Sequence, residues 1–521
     1  MTVMLERTEI EQFRSLVAQR LGLSFDDTKL DMLADVIRQR LESLKCGDTL
    51  TYFRRLSPFA SDTGELRILA QLLTVNETYF FRNPDHFTAL TARILPAFSA
   101  LGGSREIRIL SAGSASGEEA YTLAILMRER SVEFPNLTAR ITGIDINPLM
   151  IQKASQGRYS TWALRGTQNE IRDRYFQPEG KDFRLNENMK STVSFHERNL
   201  ISDDAQFWRP HAFDVVFCRN VIMYFPPDLA REVIARIKRS MTPGGYLFLG
   251  HAETLRGLSH DFHLCHTDGT FYYQLRDASS SAAAAAVESG ALWERPTSAP
   301  LVPLVDESNS WVEAIQRASD RIQLLSNEPE LNLPAGSGAA APLQQPLAAK
   351  TPGRRWDLSL AVELMRNEQY AQALQQLNSL PAESRGDPDV QLLHAVLLTN
   401  AGDLDGAEKV CAQVLNNDEL NVGAHYLMAL CREHAHDVKA ATEHDHVATY
   451  LDSAFAMPHL HLGLMARRGG DSDQARREFE AARVLLERED ASRIILFGGG
   501  FSREALIALC RAELTALGGI A

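Results

Sequence analysis

From Ile10 to about Phe98 the apolar residues recur three and four positions apart, as in Leu30, Leu33, Ala34, Ile37 and Leu41. That spacing lays one apolar stripe along a helix, and it predicts an all-α N-terminal domain over residues 1–98. The texture changes at Ile107. Short apolar runs, Ile107–Leu110, Ala139–Ile144, Val193–Phe195, Phe213–Phe217 and Tyr246–Leu249, now alternate with helical stretches. Such alternation predicts βαβ units on a mostly parallel sheet. Two more strands, near His263 and over Phe271–Leu275, complete an α/β domain spanning residues 99–276.

Beyond Asp277 the periodicity stops. Residues 277–353 are rich in Ala, Ser and Pro, as in Ser279–Ala286 and Leu333–Gly338. Such a stretch cannot bury enough apolar surface to offset the entropy of ordering, and a linker is expected. Within it Trp311–Leu325 carries Trp311, Ile315, Ala318 and Ile322 at helical spacing. That fits either a short docked helix or one that forms weakly and docks nowhere.

An internal repeat occupies residues 354–521. Small residues stand at Ala361, Ala395, Ala429 and Gly463, and again at Ala373, Ala407, Ala441 and Ala475, successive members being 34 residues apart (395 − 361, 407 − 373). This is the tetratricopeptide period, in which small residues let the two helices of a hairpin approach and stacked hairpins share one core. Phe479 and Ala482 complete the second-helix pattern of the last copy. Asp445 stands where the third copy should have a large apolar residue, so copies one and three are degenerate. Arg503–Ala516 is expected to cap the solenoid.

Composition narrows the class. Of 521 residues, 45% are hydrophobic and 23% charged, near the soluble globular average, which excludes wholesale disorder, collagen-like repeats and a membrane bundle. Lys plus Arg total 54 against 67 Asp plus Glu, a net charge of −13, which argues against coating nucleic acid through the overall field. No run approaches the roughly 18 residues needed to span a bilayer. Met1–Glu11 has no signal-peptide core, so a cytoplasmic protein without membrane insertion is expected. Cys46, Cys218, Cys265, Cys411, Cys431 and Cys510 form no C-x-x-C pair. Neither a zinc site nor a disulfide framework is expected, only reduced and mostly buried thiols.

Candidate chemistry begins after the first strand. The loop Ser111–Tyr121, with Gly113 and Gly117, turns tightly and admits a ligand close to the backbone. Alone, that suits a dinucleotide, S-adenosylmethionine or a bare βα turn, and a P-loop is excluded because no Gly-Lys-Ser/Thr follows. Asp145, at the tip of the next strand, is placed to accept hydrogen bonds from ribose hydroxyls, as in other doubly wound nucleotide sites. Glu118 and Glu119 open the following helix where a pyrophosphate would need bare amides. A carboxylate there favours a sulfonium or amino group over NAD.

Five segments in order, Asn76–Arg82, Ser111–Tyr121, Gly143–Asp145, Cys218–Phe225 and Thr242–Gly250 followed by Glu253, resemble the CheR family of chemotaxis-type receptor-glutamate O-methyltransferases over about residues 8–276. The repeat extension resembles a subset of that family in chemosensory-like pathways controlling surface behaviour or biofilm formation. The resemblance implies a doubly wound S-adenosylmethionine-dependent methyltransferase domain, with a small β-subdomain over about residues 158–195 that in some members grips a receptor's C-terminal peptide. It implies a cofactor pocket lined by Asn76, Thr78, Arg82 and Gly113, with Glu118 or Glu119, preferably Glu119, on the methionyl amino end. Asp145 would hold the ribose or adenine side, Asn199 and Leu200 would border the adenine, and Arg219 and Asn220 would complete the pocket. Arg82 and Tyr224 would sit near the sulfonium and the incoming carboxylate. Ser114-Ala-Ser116 and Ala120 replace the residues usual in the family's glycine loop with others that are equally small.

Methyl transfer to a carboxylate is an in-line displacement, and a glutamate is already ionised near neutral pH, so positioning and water exclusion carry the expected mechanism. Arg38, Arg40, Lys45, Arg54 and Arg55 offer the head a basic face for acidic receptor helices, or else an ordinary solvated face. The expected function is methyl esterification of glutamates on a methyl-accepting chemoreceptor-type protein, with the repeats recruiting a further protein partner or regulating the enzyme. The alternatives are a non-catalytic scaffold sensing S-adenosylmethionine and a methyltransferase acting on a small molecule or RNA.

Overall fold

Four helices open the chain: α1 (Arg7–Leu21), α2 (Leu30–Leu44), α3 (Thr49–Leu56) and α4 (Thr63–Leu73). Their apolar stripes converge on Phe13, Leu33, Ile37, Tyr52 and Leu69, all fully buried. The computed structural model describes residues 5–57, 63–267, 270–276, 358–367 and 369–518. These belong to two units, Met1–Glu294 and Arg295–Ala521. The expected linker over 277–353 and the stretch Trp311–Leu325 lie outside the described residues.

The basic face expected on the head is smaller than its sequence suggests. Arg40 is buried, and its guanidinium donates to both carboxylate oxygens of buried Glu65, at 2.9 and 2.8 Å. Tyr52 donates its hydroxyl to the same carboxylate at 2.8 Å. This is a core ion pair. Lys45, Arg54 and Arg55 are exposed, while Arg38 pairs with Asp35 at 2.6 Å.

Two short helices, α5 (Pro84–Ala89) and α6 (Leu95–Ala100), lead into the α/β part. Its elements are β1 (Arg105–Ala112), α7 (Glu118–Glu129), β2 (Leu137–Asp145), α8 (Pro148–Gln156), β3 (Arg158–Ser160), α9 (Asn169–Tyr175), β4 (Phe176–Glu179), β5 (Asp182–Leu185), α10 (Glu187–Lys190), β6 (Val193–Glu197), β7 (Phe213–Cys218), α11 (Pro227–Ser240), β8 (Met241–Leu249), β9 (Phe262–Thr267) and β10 (Thr270–Leu275). The main sheet runs β6-β2-β1-β7-β8-β10-β9, with the first five strands parallel and the last two antiparallel. Central β7 is buried at every position, as expected of a strand covered on both faces, and its one charged residue, Asp214, accepts the Arg108 N–H at 2.9 Å. The chain leaves β1 toward β2 on one side, and β7 takes the other side. The carboxyl ends of β1 and β7 therefore mark a switch point, where an open α/β sheet leaves a crevice.

The small β-subdomain is the antiparallel sheet β3-β5-β4. It ends before Val193, contrary to the expected span of 158–195, because β6 pairs with β2 at the main sheet's edge, Ile141 opposite Val193.

The second unit contains helix hairpins α12 (Ser359–Arg366) with α13 (Tyr370–Asn378), α14 (Pro388–Asn400) with α15 (Leu404–Asn417), α16 (Val422–His434) with α17 (Val438–Leu451), and α18 (Ala456–Arg468) with α19 (Ser472–Leu486). Two further helices, α20 (Ala491–Phe497) and α21 (Arg503–Ala516), follow. The small residues of the repeat sit at the hairpin contacts: Ala395, Ala429, Ala407, Ala441 and Ala475 are fully buried. A Cβ on Gly463 would come within 2.8 Å of the Phe479 ring. The degenerate third copy has a physical account. Asp445 is fully buried and its Oδ2 lies 2.6 Å from His461 Nδ1, whose other nitrogen lies 2.8 Å from Glu433. A hydrogen-bonded His–Asp pair thus replaces an apolar contact.

No helix among the described residues is long and apolar enough to cross a membrane. All six cysteines are free thiols, four of them buried.

Candidate active site

A cavity opens at the switch point. Its apolar wall is shared between the head and the sheet: Leu21 ends α1, Leu23 and Phe25 follow it, Leu73 ends α4, and Ile146, Leu200 and Val221 follow β2, β6 and β7. Backbone and side-chain bonds hold the two layers together. The Ser24 N–H donates to the Tyr224 carbonyl at 2.7 Å, and Asn199 Nδ2 donates to the Arg20 carbonyl at 3.1 Å. Asn147 Nδ2 reaches Thr74 Oγ1 at 2.9 Å and Asn76 Oδ1 at 3.3 Å.

The glycine loop forms one side. Gly113 has φ +74°, and a Cβ there would run into the Val221 side chain, so this turn excludes other residues on both counts. Asp145 accepts the Ala115 N–H at 2.9 Å and the Asn147 N–H at 2.8 Å. Burial raises its pKa above the ordinary carboxylate range, against those hydrogen bonds.

Glu119 faces the same cavity. Its Oε1 accepts from Ser111 Oγ at 2.7 Å, and its Oε2 lies 3.2 Å from Arg219 Nη1. Burial raises its pKa, opposed first by Arg219. Arg219 is itself buried, and its Nη2 donates to the Arg82 carbonyl and to Asn83 Oδ1, both at 2.6 Å. Arg82 lies on the wall, with Nη1 donating to the Glu77 carbonyl at 2.9 Å.

A model of the CheR methyltransferase S-adenosylmethionine-binding domain matches residues 76–271, and a tetratricopeptide-repeat model matches 364–431. A chemotaxis protein methyltransferase of Vibrio anguillarum is 34% identical over 278 residues, covering 51% of this chain and 97% of that protein. A probable biofilm formation methyltransferase, WspC, of Pseudomonas putida is 27% identical over 480 residues, covering 92% of this chain and 99% of that protein. The chain belongs to the CheR methyltransferase family. It is thus an S-adenosylmethionine-dependent methyltransferase with a tetratricopeptide extension, in agreement with the resemblance drawn from its motifs.

In this CheR domain Asn76, Thr78, Arg82, Gly113, Glu119, Asp145, Asn199, Leu200, Arg219, Asn220 and Tyr224 all line the one cavity. Glu118 does not. Consecutive helix positions point about 100° apart, and Glu118 turns into the protein, where it is buried, accepts from Ser116 Oγ at 2.8 Å and has its pKa raised by burial to about 7. The two acids therefore do not act as a pair at the helix mouth, and the one that faces the cavity already carries an arginine partner.

The cavity suits its cofactor. Apolar walls accommodate an adenine, a carboxylate stands on each side of the glycine loop, and the buried Ser114 Oγ on the wall has no hydrogen-bond partner among the described residues. Four contributors carry no role that the sequence alone reveals. Leu21, Leu23 and Phe25 come from the head, and nothing local marks them. Glu253, present in the last motif without an assigned role, is buried and accepts the N–H groups of Asn220, Val221, Met223 and Gly250 at 2.6, 2.8, 3.2 and 2.7 Å. It shapes the loop that carries Asn220, which has φ +57°.

Proposed function

We propose that this chain transfers the methyl group of S-adenosylmethionine to glutamate side chains of a chemoreceptor-type protein, and that its repeats recruit a protein partner. The observation that carries the reading is the shared construction of the cavity. Its floor is the carboxyl edge of the sheet, its roof is the helical head, and Arg82 and Tyr224 stand on its wall. Exposed Lys45, Arg54 and Arg55 on the head give an acidic helix a complementary approach.

S-adenosylmethionine, when bound, supplies a methyl group already activated as a sulfonium. Glu119 would accept from its amino group, Asp145 from its ribose, and Asn199 and Leu200 would border the adenine. The acceptor carboxylate needs no base, since its reference pKa is about 4.3. Arg82 would orient it by a charge-assisted hydrogen bond, and Tyr224 would fix its approach. The Leu21, Leu23 and Phe25 wall would exclude water from the reacting atoms. Orientation of this kind is worth roughly 7 kcal/mol or more. Residues 277–353 would tether this enzyme to the repeats over residues 354–521, raising local concentration at a receptor array.

The test is incubation of the full chain with methyl-labelled cofactor and receptor cytoplasmic fragments. Base-labile label on glutamate supports the proposal. Cofactor binding without any ester would instead indicate a sensing scaffold, and label on RNA or a small molecule would move the acceptor class.

A further inference from the structure

We propose that residues 491–497 are a resident plug in the groove of the repeats, and that a partner displaces it with a peptide carrying a guanidinium and, one helical turn later, an aromatic ring. The proposal extends the recruiting role suggested for the repeats and does not depend on methyl transfer.

The helix α20 leaves the path of the solenoid. The cap α21 packs on α19, so residues 487–502 are an excursion between two neighbouring helices, and α20 packs instead against α14, the first helix of the second repeat. Phe497 enters a pocket made by three successive repeats. Its ring centroid lies 6.0 Å from Tyr426 and 5.3 Å from Phe455, with interplanar angles of 84° and 66°. A Cβ on Gly423 would come within 2.7 Å of the Phe497 ring and 3.2 Å of Leu392. The matching positions in the adjacent repeats, 423 − 34 and 423 + 34, are Asp389 and Met457. Glycine is a poor helix former, and at this position it makes room for a ring.

The plug is held at one end and hinged at the other. Arg493 pairs with Asp452 and Glu489 and lies 5.1 Å over the Phe455 ring. After Phe497 come Gly498, Gly499 and Gly500, the last two at φ +61° and +84°, so the backbone can swing away at little steric cost. A helix of seven residues has no stability of its own; only the groove keeps it folded. The buried Tyr426 hydroxyl has no hydrogen-bond partner among the described residues, a cost that the plug leaves in place and that a ligand bringing an acceptor would remove.

The experiment uses the full chain and a fluorescein-labelled synthetic peptide with the sequence of residues 488–502. Removing the ring in the protein, Phe497→Ala, vacates the pocket. The labelled peptide is expected to bind the F497A chain at least tenfold more tightly than the unaltered chain, and a peptide lacking both Arg493 and Phe497 is expected to bind neither. Hydrogen exchange on the unaltered chain gives a second readout, with amides of residues 491–499 exchanging much faster than those of α19 and α21. Equal peptide binding by both chains, no binding by either, protection of 491–499 equal to that of α19, or loss of the cooperative melt of the repeats in F497A would each overturn the proposal and make α20 a structural part of the solenoid.

Discussion

Arg219 Nη1 lies 3.2 Å from Glu119 Oε2, and both groups are part of the cavity wall. The pair opposes the desolvation that pushes Glu119 toward its neutral form. Glu119→Gln is expected to remove a charge-assisted contact worth about 1.5–3 kcal/mol, a loss of roughly tenfold to a hundredfold in S-adenosylmethionine affinity by calorimetry. Glu118→Gln is expected to leave that affinity unchanged, because Glu118 faces Ser116 instead of the cavity. The opposite pattern would transfer the role to Glu118.

Gly113→Ala tests the tight turn. The residue has φ +74° and an added Cβ meets Val221, so the variant should lose cofactor binding and about 1–3 kcal/mol of stability. The double variant Gly113→Ala with Val221→Ala relieves the clash but not the dihedral strain. Partial recovery of the melting temperature, without full recovery of affinity, is the expected result.

How far the sequence speaks depends on whether the physics is local. Periodicity marked the head, the βαβ texture and the 34-residue repeat, because each rests on side-chain spacing along one element. Gly113 and Asp145 were legible for the same reason, as a strand followed by a turn states its own geometry. Charge is different. Arg40 reads as part of a basic surface until Glu65, 25 positions away, is seen beneath it. Glu118 and Glu119 differ only by helix phase, which a sequence cannot orient without knowing where the cavity lies. The wall from Leu21, Leu23 and Phe25 depends on docking of the head, and the path of α20 depends on a groove built by distant repeats.

Arg40 and its exposed neighbours should separate cleanly. Arg40→Ala leaves Glu65 buried without its cation, and such losses cost about 3–5 kcal/mol. The head should melt early, and activity should fall through unfolding. Arg54→Glu with Arg55→Glu changes only exposed positions. It should leave the melting temperature and S-adenosylmethionine affinity intact while raising KM for a receptor fragment, most strongly at low salt. An unchanged KM would remove the head from receptor approach.

Glu253 receives four backbone N–H groups from the loops after β7 and β8. Glu253→Gln keeps the shape but turns an acceptor oxygen into a donor facing donors. A loss of about 2 kcal/mol or more is expected, with reduced cofactor affinity because Asn220 and Val221 line the cavity. Thermal unfolding and calorimetry on the same preparation check both effects.

In the repeats, His461 gives a pH signature. Burial lowers its pKa, but Asp445 and Glu433 outweigh burial and raise it to about 9, and Arg468 pairs with the same Glu433. The folded value lies above the ordinary 6.5, so the stability it contributes is fully present below pH 6.5 and is lost as pH rises through 9. The melting temperature of the repeats should fall by about 5 °C or more between pH 6 and pH 9. His461→Gln should start lower and lose most of that slope, because the charge that titrates is gone. A slope that survives this substitution would place the titration elsewhere, and a flat profile in the unaltered chain would mean that the folded pKa of His461 is not raised above its ordinary 6.5.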